Sequence, residues 1–256
     1  MIYADSKSEH CSPDLGKADI QLEDQIESES KEHIAATLES IEQLPDPLAA
    51  IRQYSNLIKD LYWKNKDIDS VVIAARAAIQ YGLSTANSIE GSDAGIALEI
   101  RGITKGIAYN LGSFTWPGWD EPGIKIENLH LKAGMDAAIL NRTLAEELNK
   151  GPLALSRAEW LLGAHFLAIG EYENANLHFI TAVRYAMEAG KQADQECFMC
   201  TVYPVLVQLV QYPENEEYAF LYNAMLRSFS IYKKDMGYVE QLETARRVFS
   251  RKISSP

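Results

Sequence analysis

Basic residues are scarce in this sequence. The 256 residues include 24 lysines and arginines against 36 aspartates and glutamates, which gives a net charge of −12 at neutral pH. A general nucleic-acid binder needs clustered cations to contact phosphates, and an anionic membrane surface also attracts cations. The composition therefore predicts a partner that is neither nucleic acid nor membrane.

Cysteines and long hydrophobic runs are also few. Three cysteines do not form a disulfide framework for a chain of this size. No stretch approaches the roughly 18 uninterrupted apolar residues that indicate a transmembrane helix. The segment from Met1 to Ser6 has neither the basic start nor the apolar run of a signal peptide. We therefore expect a cytoplasmic protein.

Motifs of catalysis and cofactor binding are absent from the sequence. It contains no Gly-rich phosphate loop and no Gly-x-Ser-x-Gly turn. Cys197 and Cys200 form a C-x-x-C, but the strand that precedes a thioredoxin-type site and the second cysteine pair of a zinc site are both lacking. We interpret both thiols as small apolar residues of a helix and expect no cofactor, catalytic residue or metal ligand.

The chain divides into an acidic tail and a long helical part. Residues 1–30 are polar, and up to position 32 the chain holds nine acidic residues against three lysines, a composition typical of a mobile tail. From about residue 31, apolar residues recur at helical spacing and no strand pattern appears. We predict an all-α fold with a single domain at 31–256 and a long loop at 113–126. Gly82 is predicted to end one helix and Pro204 to interrupt another.

The clearest motif lies in a stretch of about 20 residues. It reads Leu162-Gly163-Ala164-His165-Phe166, then Gly170-Glu171-Tyr172, then Ala175, Phe179 and Ala182. Small residues at Gly163 and Ala175 let two antiparallel helices approach closely, and Gly170 lies where the chain must turn. The pattern resembles the tetratricopeptide repeat (TPR), a helix-turn-helix unit that stacks into solenoids.

The resemblance covers about one repeat well and the rest of the chain loosely. Aligning the other helices places Lys59, Gly106 and Gly163 in equivalent positions, which are spaced by more than the roughly 34 residues of the standard unit. The resemblance therefore implies an irregular, TPR-like right-handed solenoid of stacked antiparallel helix pairs.

The family turns the first helix of each hairpin toward its ligands. The residues that the resemblance places there are Asn56, Trp63, Ile103, Ile107, Asn110, Arg157, Trp160, Ala164 and Leu167. Only Asn56, Asn110 and Arg157 suit the carboxylate clamp of some family members, and the apolar remainder suits an apolar or amphipathic helix. The alternative is that the apolar residues are core, covered by the protein's own helices.

Two tryptophans distinguish the predicted loop. Trp116 and Trp119 lie in a run of ten residues that also holds two prolines and two glycines. Long structured loops are often functional, and paired indoles bind cationic or aromatic groups. The alternative is that the indoles pack onto the helices and the prolines stiffen the loop.

Two functional hypotheses follow. The first is a non-enzymatic scaffold or adaptor that binds a protein or peptide, with self-association as a further prediction. The second is a helical metal-dependent enzyme or metal-binding protein near the tryptophan loop. Glu127 and His130 motivate it, since their spacing places a carboxylate and an imidazole on one helix face, as in di-iron bundles, although those proteins use the pair twice.

Overall fold

Helices form nearly all of the structure, a computed structural model that describes residues 33–231 and 236–253. The helices are α1 (33–42), α2 (Pro47–Asp60), α3 (Ile68–Ile89), α4 (Ala94–Phe114), α5 (Asn128–Glu147), α6 (Pro152–Ala168), α7 (Tyr172–Ala189), α8 (Asp194–Gln211), α9 (Glu216–Ile231) and α10 (Met236–Ile253). These two ranges contain no strand, so the predicted all-α class is confirmed. The predicted tail at 1–30 lies outside the described residues, and the single domain at 31–256 stays a prediction.

Local chemistry sets where several helices begin. Asp46, Asp67 and Asp93 precede α2, α3 and α4, and each carboxylate accepts a hydrogen bond from a backbone N–H two or three residues further on. These caps satisfy donors that have no partner in the first helical turn. Pro47 and Pro152 open α2 and α6, where a missing N–H is tolerated.

Each helix from α2 to α9 packs against the next one in the chain. In addition, α2 contacts α4, and α4 contacts α6. The carboxy-terminal helix α10 packs against α8 and against the short 3₁₀ turn Pro117–Trp119 of the tryptophan loop. The first helices of three successive hairpins, α2, α4 and α6, are therefore neighbours along one side of the protein.

The hairpin of α6 and α7 is the one that the motif predicts. A Cβ atom built on Gly163 would lie 2.8 Å from ring carbons of Phe179, so only a glycine fits beneath this ring. Gly170 has a φ of 82° in the turn between the helices, a conformation that glycine adopts without strain. Ala175 and Ala182 are fully buried beside Phe179, and the small residues therefore serve helix–helix contact.

Two predicted helix boundaries are wrong. Gly82 does not end α3, which continues to Ile89. Instead Gly82 is buried against the side chain of Thr104 on α4, and its missing side chain allows the two helices to approach. Pro204 does not interrupt α8, which continues to Gln211. An interior proline removes one backbone hydrogen bond of the helix, and burial of the neighbouring Tyr203, Leu206 and Val207 holds α8 in the core on both sides of it.

The buried side chains form two clusters. One extends from Ile34 on α1 to Ala137 on α5, and the other from Trp116 to Phe249 on α10. The helices α4 and α5 contribute to both clusters, so they join the two halves of the core. Within the described ranges, no helix has the length and apolar character needed to cross a membrane.

Candidate binding groove

A groove crosses the first helices of three hairpins, and we call it the outer groove. Its volume is about 580 Å³. One wall comes from α2 and α4, and the other from the α5–α6 connection and the start of α6. Residues that represent the three helices in the lining are Ser55 and Lys59 on α2, Ile103, Gly106 and Asn110 on α4, and Ala154 on α6.

The outer groove has a charge opposite to that of the whole protein. Its lining includes Lys59, Lys105, Lys150 and Arg157 and no acidic residue, although the chain as a whole carries −12. Among the described residues, none of the three lysines forms an ion pair. Burial lowers the pKa of Lys105, and the charges of Lys150 and Arg157 lower it further. An anionic ligand would relieve this mutual repulsion.

The α5–α6 connection places Lys150 at the rim of the outer groove. Asn149 has a φ of 48°, and Gly151 has a φ of 80° with a ψ of 174°. The second combination is open essentially to glycine alone. Because α6 begins immediately afterwards, the positive end of its dipole also faces this region and adds to the cationic potential.

A second cavity adjoins the outer groove, and we call it the inner cavity. Its volume is about 270 Å³, and Tyr109 and Arg157 line both spaces. Trp119, Trp160 and Tyr238 supply further aromatic walls of the inner cavity. The combined site therefore has a cationic outer part and an aromatic inner part.

Arg157 lies at the boundary between the two spaces. Its Nη2 atom donates to Oε1 of Glu196 at 2.6 Å, and this hydrogen bond raises the pKa of Arg157. The Glu196 side chain, which lines the inner cavity, is only 14% exposed. Because Arg157 compensates this carboxylate, the inner cavity presents no unpaired negative charge to a ligand.

Several of the residues predicted from the resemblance lie in this site. Ile103, Asn110 and Arg157 line the outer groove. Trp119 and Trp160 line the inner cavity, although Trp160 keeps only 4% of its surface exposed. Five positions that the sequence placed on three separate elements are therefore brought together.

For other residues, the predicted position in a binding surface is wrong. Four of them are buried core residues that a partner cannot contact, namely Ile107, Trp116, Ala164 and Leu167. The groove face of α4 shares Ile103 and Asn110 with the predicted face but extends to the side of Lys105 and Gly106 instead of to Ile107. Asn56 and Trp63 are exposed but lie outside the linings of both cavities.

Two indole hydrogen bonds attach the tryptophan loop to the helices α6 and α4. The indole of Trp116 donates to the carbonyl of Ala164 at 3.0 Å, and that of Trp119 donates to the carbonyl of Ser113 at 2.8 Å. The two rings meet edge to face with centroids 5.1 Å apart. The packing alternative therefore describes Trp116, whereas Trp119 also contributes a wall to the inner cavity.

Glu127 and His130 lie at the start of α5. The backbone N–H of Glu127 donates to Nδ1 of His130 at 3.0 Å, and Nε2 of His130 lies 2.9 Å from a carboxylate oxygen of Asp69. Both imidazole nitrogens therefore have protein partners. In the part of the chain that the structure describes, no group of three or more His, Cys, Asp or Glu residues is placed to hold a metal. The pair forms a helix cap.

The C-x-x-C motif lies within α8. Cys197 and Cys200 are free thiols, and Cys200 is buried. Burial raises the pKa of Cys200 to about 12, which opposes formation of a reactive thiolate. Cys200 therefore behaves as a small apolar wall residue, in agreement with the interpretation from the sequence.

The three lysines of the outer groove are not among the residues predicted from the sequence. Lys59 lies one helical turn after Ser55, so the two residues share one face of α2. The face predicted from the sequence, which contains Asn56, is a different one and therefore omits Lys59. Lys150 belongs to an interhelical connection, and no helical spacing points to it. Their convergence on Lys105 depends on how three hairpins stack, which one hairpin motif does not specify.

No family model, curated protein or solved structure matches this chain. The chemistry of the site itself is therefore the basis for any functional conclusion. That site offers lysines without an ion-pair partner and a neighbouring aromatic cavity, and no group of residues placed to hold a metal is present within the described residues.

Proposed function

We propose that this protein is a non-enzymatic scaffold or adaptor that binds an acidic, amphipathic segment of a protein partner. The segment occupies the outer groove, and the helices form an irregular TPR-like array whose first helices face it. The observation that carries the proposal is the convergence of Lys59, Lys105, Lys150 and Arg157 in a groove without lining carboxylates. Such a groove complements acidic side chains and disfavours basic ones.

The groove also suits a chain segment in size and shape. It extends over three successive hairpins and includes apolar surface at Ile103 as well as the cations. An amphipathic segment presents carboxylates to the cations and apolar side chains to the remaining walls. A location in the cytoplasm and self-association stay predictions from the sequence.

The proposal is tested with two fluorescein-labelled peptides of equal length, one rich in glutamate and one rich in lysine. Fluorescence anisotropy with the full chain should show binding of the glutamate peptide that weakens as salt rises, and no comparable binding of the lysine peptide. Two charge-reversed variants separate the groove from the net charge: Lys105→Glu in the groove, and Lys132→Glu at an exposed position on α5.

We expect Lys105→Glu to weaken glutamate-peptide binding at least about tenfold, because it places a negative charge among the lining groups. The matched control Lys132→Glu should stay within about twofold of the wild type, since it changes the net charge equally at a position outside the linings of both cavities. Equal losses in both variants, or no binding of the glutamate peptide by the wild type, would overturn the proposal.

A further inference from the structure

We infer that the inner cavity binds an aromatic side chain of the partner, next to the acidic residues that occupy the outer groove. This inference rests on the proposed function and specifies the partner's chemistry. Its starting point is that the two spaces are adjacent and share Tyr109 and Arg157 as lining residues. A ligand that lies in the outer groove beside Tyr109 therefore has an adjacent side chain at the entrance of the inner cavity.

The size of the inner cavity favours a single side chain. Its volume of about 270 Å³ is less than half that of the outer groove. The outer groove can follow several residues of a segment, whereas the smaller inner cavity is lined by Trp160 and the buried Cys200. It is thus a pocket for one anchor and not a continuation of the groove.

The walls of the inner cavity favour an aromatic ring. Trp119 and Trp160 lie with ring centroids 6.1 Å apart, and Tyr109 adds a third ring at the shared boundary. Met199 contributes a thioether. Aromatic rings prefer tilted and edge-to-face contacts with one another, and thioethers contact ring edges favourably. An aromatic guest gains these contacts in addition to apolar burial, which a small aliphatic guest does not.

The charges of the lining residues determine which part of the ligand lies in which space. The inner cavity contains the carboxylate of Glu196, which Arg157 already pairs at 2.6 Å. A second carboxylate in this space would repel Glu196, whereas an uncharged ring leaves the ion pair intact. The unpaired lysines of the outer groove accept the acidic residues instead. The partner segment therefore carries an aromatic residue directly beside its acidic residues.

The inference is tested with three labelled peptides of equal length and charge. Each has the same glutamate residues and differs at one adjacent position, which is phenylalanine, leucine or alanine. Anisotropy with the wild-type chain should show the phenylalanine peptide binding at least about tenfold more tightly than the alanine peptide, with leucine between them. Trp119→Ala should reduce this preference, and Phe220→Ala, an exposed aromatic on α9 outside both cavities, should leave it unchanged.

A second measurement does not depend on the folding of a variant. A peptide with 4-nitrophenylalanine at the same position should quench the tryptophan emission of the wild type, because the ring lies beside Trp119 and Trp160. Equal affinities for the phenylalanine and alanine peptides would overturn the inference and leave the proposed function standing. Failure of all three to bind would refute the proposed function itself. Competition by N-acetylphenylalanine as strong as by the peptide would indicate a small-molecule site and also overturn the inference.

Discussion

Acidification should destabilise the protein through one buried histidine in the repeat-like motif. His165 is fully buried, and its Nε2 atom lies 2.8 Å from the carbonyl of Gly112, to which the neutral imidazole donates. Burial lowers the pKa of His165 to about 4 from 6.5. The unfolded chain thus takes up a proton at a higher pH than the folded chain, so stability that is present above pH 6.5 is lost as the pH falls toward 4.

The size of this effect follows from the shift in pKa. Each unit of difference corresponds to about 1.4 kcal/mol, which gives a total loss of about 3 kcal/mol at low pH and about 2 kcal/mol by pH 5. The neutral variant His165→Gln can still donate to the Gly112 carbonyl but cannot take up a proton. It should be less stable than the wild type at pH 7.5 because its shape differs.

Urea denaturation at pH 7.5 and pH 5 measures the effect for both proteins. Other titrating groups contribute equally to the two, so their contribution cancels in the comparison. The wild type should lose about 2 kcal/mol more unfolding free energy between these pH values than His165→Gln does. Equal losses in the two proteins would refute the assignment of a buried, neutral imidazole at this position.

Three further predictions concern stability and are checked by denaturant unfolding at neutral pH. Gly163→Ala should lower the free energy of unfolding by about 1–3 kcal/mol, because the added Cβ would clash with the Phe179 ring. The matched change Gly106→Ala should stabilise α4 by up to about 1 kcal/mol, since nothing lies within 4 Å of the added atom; equal effects in both variants would contradict the described packing. Trp116→Phe should lower the free energy of unfolding by about 1–3 kcal/mol, because the hydrogen bond to α6 is lost. An unchanged denaturation midpoint would contradict this hydrogen bond. Gly151→Ala should cost about 1–3 kcal/mol through backbone strain alone, and a neutral result would contradict the left-handed geometry.

Local patterns in the sequence were sufficient to predict much of the fold. The motif around Gly163 identified a hairpin because small residues at helical spacing, combined with a large ring one helix later, are typical of two closely packed helices. Gly82 was misinterpreted because a glycine that ends a helix and a glycine that lets two helices approach look the same in one sequence. Only the neighbour Thr104 on α4, which lies 22 positions away, distinguishes them.

The sequence predicts which helices form the candidate site but not which of their residues line it. The correct helices were identified, but a rotation of about one residue separates a core position such as Ile107 from a groove position such as Gly106. An apolar stripe does not reveal which of its edges meets solvent. The cationic character depends on Lys59, Lys105 and Lys150 converging from three segments, and the stacking of hairpins decides that convergence.

The most direct measurement of the central claim is a charge reversal in the outer groove. The double variant Lys105→Glu with Lys150→Glu is titrated with the glutamate-rich and lysine-rich peptides, beside the wild type and the Lys132→Glu control. If the groove binds the partner segment, the wild type and the control prefer the glutamate peptide, and the double variant loses this preference, because its two glutamates offset Lys59 and Arg157 in the lining. An unchanged preference in the double variant would contradict the assignment of this groove as the binding site.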